Sequence, residues 1–150
     1  MKLILTIGPP GCGKSTFIRP LAEQQQLVYI NPDSIREELL GDATDHTAEQ
    51  RVWRTVYERT AIALRGNGAV IDATNTRRSD RKKFIRLAQQ TGVHEIVGYW
   101  FTTPLDTCNA RTAQRERIVP EEIIRSMYDR LIRTPPTTAE GFTEIHVIDT

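Results

Sequence analysis

Nine consecutive residues near the amino terminus, GPPGCGKST at Gly8–Thr16, have the composition of a loop that holds phosphate. Gly8, Gly13, Lys14 and Ser15 satisfy the pattern G-x-x-x-x-G-K-[S/T], and each required residue type has its own physical cause. Glycines let the backbone curl until successive N–H groups face a phosphate, and the positive end of the following helix adds to the same field. In this reading Gly8, Gly11, Cys12, Gly13, Lys14, Ser15 and Thr16 bind ATP. The Lys14 ammonium reaches the β- and γ-phosphates, and the Ser15 hydroxyl is a ligand for Mg²⁺. A glycine-rich turn without a ligand is the alternative, but the loop lies between a strand-like run, LILTI, and a helix-like one, the context that the motif requires.

Such a loop leaves open whether the γ-phosphate goes to water, to a conformational cycle or to an acceptor. Asp33 follows the second strand-like run, so a parallel sheet brings it to the same edge as the loop, where a carboxylate takes a proton from an attacking hydroxyl. Arg36 is three residues further on the same helical face and could hold an anionic group of the acceptor. The pair is equally read as a first-turn acid that complements the helix dipole, beside a solvated arginine. Asp72, at the end of the third strand, would point to the phosphate edge and position Mg²⁺ or its waters from behind Ser15, or simply start a turn through Thr74 and Asn75. Arg111 and Arg115 are four apart on an expected helix, with Arg117 close behind. Paired there, they suit the charge that develops on a phosphoryl group in transfer, and a solvated basic face is the other reading. The catalytic set is therefore Lys14, Asp33, Arg111 and Arg115, with Asp33 and Arg36 on the acceptor side. The basic cluster Arg77, Arg78, Arg81, Lys82, Lys83 and Arg86 could track a nucleic-acid backbone or form the wet side of a helix.

The elements that must position these residues follow from apolar spacing. Strands are expected at 3–7, 27–30, 69–73, 95–101 and 143–148, where short apolar runs end in glycine, proline or acid. Helices are expected at 14–25, 32–40, 47–65, 78–91, 104–115 and 120–133; Asn31-Pro32 reads as a cap followed by proline at the first helical position, and Gly41 as a stop. Pro20 is a flaw that kinks or shortens the first helix. Strand and helix alternate, which argues for an α/β fold with a parallel five-stranded sheet covered by helices on both faces. The 150 residues read as a single domain, and the only linker-like stretch is 134–141.

Composition agrees with a soluble globular protein: 39% hydrophobic, 26% charged and a net charge of +1, so attraction to a polyanion has to come from a local patch. Cys12 and Cys108 are the only cysteines, which argues against a disulfide framework and for a reducing compartment. The three histidines have no zinc-ligand spacing, and the apolar amino-terminal run is too short for a membrane span, so the expected location is cytoplasmic.

Together these segments resemble the 5′-hydroxyl polynucleotide kinases of phage and bacterial nucleic-acid repair over nearly the whole chain. In that family the phosphate loop is followed by an Asp and, three residues on, an Arg; NPDSIREELLG supplies them as Asp33 and Arg36. Asp72-Ala73-Thr74-Asn75 is similar to the family's D-x-T-N segment, although phage-type members place the acid directly before Thr-Asn. Arg111, Arg115, Val119-Pro120 and Arg125-Ser126-Met127-Tyr128 resemble its lid and following helix, which implies a helical lid over about 104–118. The resemblance implies a P-loop kinase fold, with ATP and Mg²⁺ on the loop. It also implies that Asp33 is general base for a DNA or RNA 5′-OH end and that Arg36 grips the adjoining phosphate. Small-metabolite and nucleoside kinases share much of the pattern, and a nucleotide-dependent interaction module would need only the loop. Many polynucleotide kinases also carry phosphatase or ligase domains; no D-x-D-x-T acid pair occurs here, so the resemblance implies a separate phosphatase or ligase as a possible partner.

Overall fold

Leu3, Leu5 and Ile7 are wholly buried on one side of the first strand and Ile4 and Thr6 on the other, as a strand covered on both faces requires. The computed structural model describes residues 1–115 and 119–149. Its five strands are β1 (Lys2–Ile7), β2 (Val28–Ile30), β3 (Gly68–Ile71), β4 (Glu95–Phe101) and β5 (Glu144–Ile148), all parallel in the order β2-β3-β1-β4-β5. The helices are α1 (Lys14–Gln24), α2 (Pro32–Leu40), α3 (Glu49–Leu64), α4 (Arg78–Gln90), α5 (Leu105–Ala113) and α6 (Glu121–Arg133). Three cores result: Leu3, Leu5, Ile7, Val56, Leu64 and Phe84 pack on one face of the sheet, Ile4, Ile18, Val70 and Val97 on the other, and Cys12, Phe101, Cys108 and Ile124 form a third, smaller one. Among the described residues no helix is long and apolar enough to cross a membrane.

Local sequence accounts for the ends of α2. The Asn31 side chain accepts the Ser34 N–H at 2.9 Å, Pro32 opens the helix, and Gly41 closes it in the left-handed conformation at φ 77. Pro20 does not cut α1 short: the helix continues through it to Gln24, its apolar residues Ile18 and Ala22 buried against the sheet. Within the linker-like stretch, Thr138–Glu140 forms a 3₁₀ turn, and its Glu140 pairs with Arg81 of α4 at 2.7 and 3.2 Å. Arg81 therefore leaves the basic cluster. Its side chain is fully buried, and it also donates to the carbonyls of Asn75, Thr76 and Thr134.

Removing one partner of so buried a pair strands the other's charge. Arg81→Ala should lower stability by about 3–5 kcal/mol, read from urea unfolding. A loss under about 1 kcal/mol, the size of a surface ion pair, would mean that the network contributes little.

Candidate active site

The loop between β1 and α1 is shaped by glycine. Gly11 has φ 83 and Gly13 φ 91, so both lie in the left-handed region. Gly11 also has no room for a side chain, because a Cβ there would stand 2.4 Å from the Cys108 carbonyl oxygen and 2.6 Å from Thr112 Oγ1. α5 is thus seated directly on the loop. Thr103, just before it, donates to the Cys12 carbonyl at 2.9 Å, and Arg111 Nη1 lies 3.4 Å from the Gly11 carbonyl. Lys14 opens α1, and its ammonium is turned onto the Pro9 carbonyl at 2.9 Å, within the loop.

Asp72, two per cent exposed just past β3, is where the strand ends converge. Ser15 Oγ donates to its carboxylate at 2.6 Å, and the Tyr29 hydroxyl donates to the same oxygen. Arg19 of α1 in turn donates to the Tyr29 hydroxyl at 3.2 Å. Burial, and then the bond to Asp72, push the Tyr29 pKa up, so the phenol keeps its proton. The Asp72 carbonyl accepts from Asn31 Nδ2 at 3.1 Å, which ties this corner to the cap of α2. Tyr29 reads in sequence as a strand former and nothing more, and its position opposite β3 became visible only with the pairing of Tyr29 with Val70.

Asp33 and Arg36 lie in α2 as expected, but Arg36 does not face outward. Its side chain is 4% exposed; Nη1 donates to Asp33 at 2.6 Å, and Nε and Nη2 donate to the two carboxylate oxygens of Glu49 at 2.8 and 3.0 Å. The physical reason is the packing of α3 on α2, which delivers a two-pronged partner that the sequence, thirteen residues away, does not announce. Burial opposes the charge on Arg36, yet Glu49 and Asp33 outweigh it and hold its pKa above the ordinary value. Asp33 itself remains 53% exposed.

The arginine pair of the lid is only partly as expected. α5 ends at Ala113, so Arg111 lies in its last turn and Arg115 beyond it, its N–H bonded to Thr112. Arg117 and the lid positions 116–118 fall outside the described residues. A cleft of about 320 Å³ opens between the segment after β3 and α6. Its wall residue Thr74 accepts the Gly8 N–H at 2.9 Å, which ties that wall to the start of the phosphate loop.

Whether ATP and Mg²⁺ suit these residues is a question of donor chemistry. A lysine at a helix start beside two left-handed glycines fits phosphate, and a hydroxyl bonded to a buried carboxylate is a hard oxygen pair of the kind Mg²⁺ takes. Among the described residues no group of three or more His, Cys, Asp or Glu could hold a metal ion.

A parallel sheet of this order, with helices on both faces and a glycine loop between β1 and α1, defines a P-loop kinase-like fold. The chain belongs to the AAA domain family, whose pattern matches residues 3–134. Among solved structures it is similar to a chain of the Pnkp1/Rnl/Hen1 RNA repair complex, at 23% identity and a TM-score of 0.78 over 89% of this chain and 44% of that one. It is also similar to a gluconokinase from Sinorhizobium meliloti 1021, at 18% identity and a TM-score of 0.62 over 99% and 82% of the two chains. A third likeness is to a shikimate kinase from Acinetobacter baumannii, at 19% identity and a TM-score of 0.60 over 100% and 84%. At such identities the likeness establishes the fold. The chain spans less than half the length of the RNA-repair chain that it matches.

Two outcomes follow from the electrostatics. The Arg36 hydrogen bond holds the Glu49 pKa below its ordinary 4.5, so Glu49 stabilises the fold above that pH and the contribution is lost as pH falls through the lower folded value. In urea titrations Glu49→Gln should therefore differ from wild type at pH 7 and converge with it in acid; a gap that persists unchanged to pH 3 contradicts the pairing. Cys108 is buried, and burial followed by the nearness of Cys12 pushes its thiol up to about 11. Iodoacetamide at neutral pH should modify Cys108 only after unfolding, and rapid labelling of native protein would mean that α5 lifts from the loop.

Proposed function

We propose that this protein is an ATP-dependent polynucleotide 5′-hydroxyl kinase, its 150 residues acting as one P-loop kinase domain. The observation that carries the reading is Asp33, an exposed carboxylate steadied by Arg36 at 2.6 Å, at the sheet edge where Ser15 meets Asp72. When bound, Mg²⁺–ATP supplies the γ-phosphoryl group. The Asp33 carboxylate accepts the proton of the acceptor 5′-hydroxyl, and the ion pair with Arg36 fixes its orientation. Lys14, at the start of α1, together with Arg111 and Arg115, offsets negative charge as it moves from nucleotide to acceptor. Ser15 and Asp72 are the residues that would hold Mg²⁺, Ser15 directly and Asp72 from behind it.

Order and spacing of the motifs support a nucleic-acid acceptor, as does the likeness to a chain of an RNA repair complex. That complex also holds further proteins, Rnl and Hen1, and a separate repair enzyme as partner belongs to the same proposal. A second reading has its own support: the inward turn of Arg36 removes one expected phosphate grip, and the gluconokinase and shikimate kinase, matched over 82% and 84% of their chains, carry names of small acceptors.

Radiolabelled ATP, offered with a 5′-OH oligonucleotide, a nucleoside, gluconate or no acceptor, separates the readings. Label should pass to the oligonucleotide, and label on gluconate alone would reverse the order of the two. Asp33→Asn should reduce transfer by about 10²-fold or more while nucleotide binding persists; equal loss of both would assign Asp33 to nucleotide binding instead.

A further inference from the structure

One oxygen of Asp72 accepts two hydroxyl groups. Ser15 Oγ donates to Oδ2 at 2.6 Å, and the Tyr29 hydroxyl donates to the same atom. A carboxylate oxygen has two lone-pair positions, so Oδ2 has none left. Oδ1 lies 3.4 Å from the hydroxyl of Thr6, which is wholly buried in β1. The Ser15 oxygen differs, because once its proton is given to Asp72 its own lone pairs are left for another partner.

Neither a phosphate loop nor an acceptor base calls for Tyr29, yet the residue is held with care. Its ring packs on the core formed by Ile4, Ile18, Val70 and Val97. Arg19 Nε donates to its oxygen at 3.2 Å, and the guanidinium carbon stands 5.2 Å from the ring centre. A phenol that accepts from Arg19 has a single O–H to give, and here it goes to Asp72.

We infer that Tyr29, aligned by Arg19, is a positioning residue that selects the cation: it closes Asp72 Oδ2 to direct coordination, which leaves Ser15 as the one ligand of the pair. The assignment rests on the Mg²⁺–nucleotide part of the function proposed above and not on the nature of the acceptor. Mg²⁺ is small, keeps several waters and tolerates few protein ligands, whereas Ca²⁺ takes more oxygens, carboxylates above all, in looser geometry. A neutral hydroxyl in front of a carboxylate that is already engaged suits the first ion. Without the Tyr29 hydroxyl, Oδ2 regains a lone pair and Ser15 loses a fixed partner, and both changes favour Ca²⁺.

The test is calorimetry of ADP binding as Mg²⁺ or Ca²⁺ is raised, with thermal unfolding in the absence of divalent cations beside it. Wild type should need less Mg²⁺ than Ca²⁺ for half-maximal tightening. Tyr29→Phe should raise the Mg²⁺ requirement about tenfold, leave the Ca²⁺ requirement no higher, and keep metal-free ADP binding and unfolding temperature close to those of wild type. Arg19→Met, at an exposed position, should raise the Mg²⁺ requirement about threefold through one lost hydrogen bond. An unchanged Mg²⁺ requirement in Tyr29→Phe, or an equal rise for both cations, overturns the assignment. Loss of metal-free ADP binding along with both cations does the same, since it makes Tyr29 merely structural. Should Tyr29→Phe not fold, a Mg²⁺ requirement in Arg19→Met equal to that of wild type overturns it, as does a wild type that responds to neither ion. Label transfer to the oligonucleotide without the shift in cation preference removes the Tyr29 assignment alone. The shift without label transfer keeps Tyr29 in its role and removes the kinase reading.

Discussion

The parallel pairing of β1 with β3 is the constraint on which the meeting of the phosphate loop with Asp72 and Thr74 depends. Lys2 lies opposite Gly68 and Leu5 opposite Ile71, so the two chains leave the sheet level with each other. Only then does the Gly8 N–H meet the Thr74 carbonyl, the Asn75 amide donate to the Thr6 carbonyl at 2.8 Å, and Ser15 reach Asp72. A slip of one residue would move those groups apart by about 3.3 Å and turn every side chain of the strand to the other face. Gly68 guards the register: it has φ 126, and a Cβ there would fall 1.9 Å from the Lys2 carbonyl oxygen. Thr6 adds a second tie, donating to the Ala73 carbonyl at 2.8 Å.

Three arginines show how surroundings, and not residue type, divide the work. Arg81 is sealed among carbonyls and Glu140, so it holds loops together. Arg36 is nearly as deep, but one of its partners is an exposed carboxylate, so it orients a side chain that stays open to solvent. Arg111 is at the surface, with one long contact to the loop, and keeps most of its donors toward solvent. Asp72 shows the reverse case: buried, and bonded to hydroxyls, it has one carboxylate oxygen satisfied by Ser15 and Tyr29 and the other facing the Thr6 hydroxyl at 3.4 Å.

What was legible in the sequence is what local chemistry determines. The glycine loop, the Asn31-Pro32 start, the Gly41 stop and the buried runs Leu3–Ile7 and Glu95–Phe101 depend on neighbours within a few residues, and the observed elements begin and end within a few residues of those readings. The position of Asp72 was also readable, because parallel strands put their carboxyl ends at one edge. Contacts that cross between elements were not. Glu49 finds Arg36 only after α3 packs on α2, Glu140 lies 59 residues from Arg81, and Tyr29 meets Asp72 across a strand pair. In each case a side chain with an ordinary local meaning gains another from a partner that spacing cannot supply. The end of α5 at Ala113, which leaves Arg115 outside the helix, was hidden for a similar reason, since no glycine or proline marks it.

The buried pair of Arg81 and Glu140 has a bearing on where this protein can be cut. The family pattern stops at residue 134, and a fragment trimmed to it would keep the glycine loop, Asp33, Asp72 and both walls of the cleft. It would lose Glu140. The same guanidinium that Glu140 neutralises grips the carbonyls of Asn75 and Thr76, and those residues carry the wall that Thr74 joins to the phosphate loop. The evolutionary unit and the mechanical unit therefore differ: the closing turn is a clasp fastened from outside the recognisable domain, and a minimal fragment has to include it.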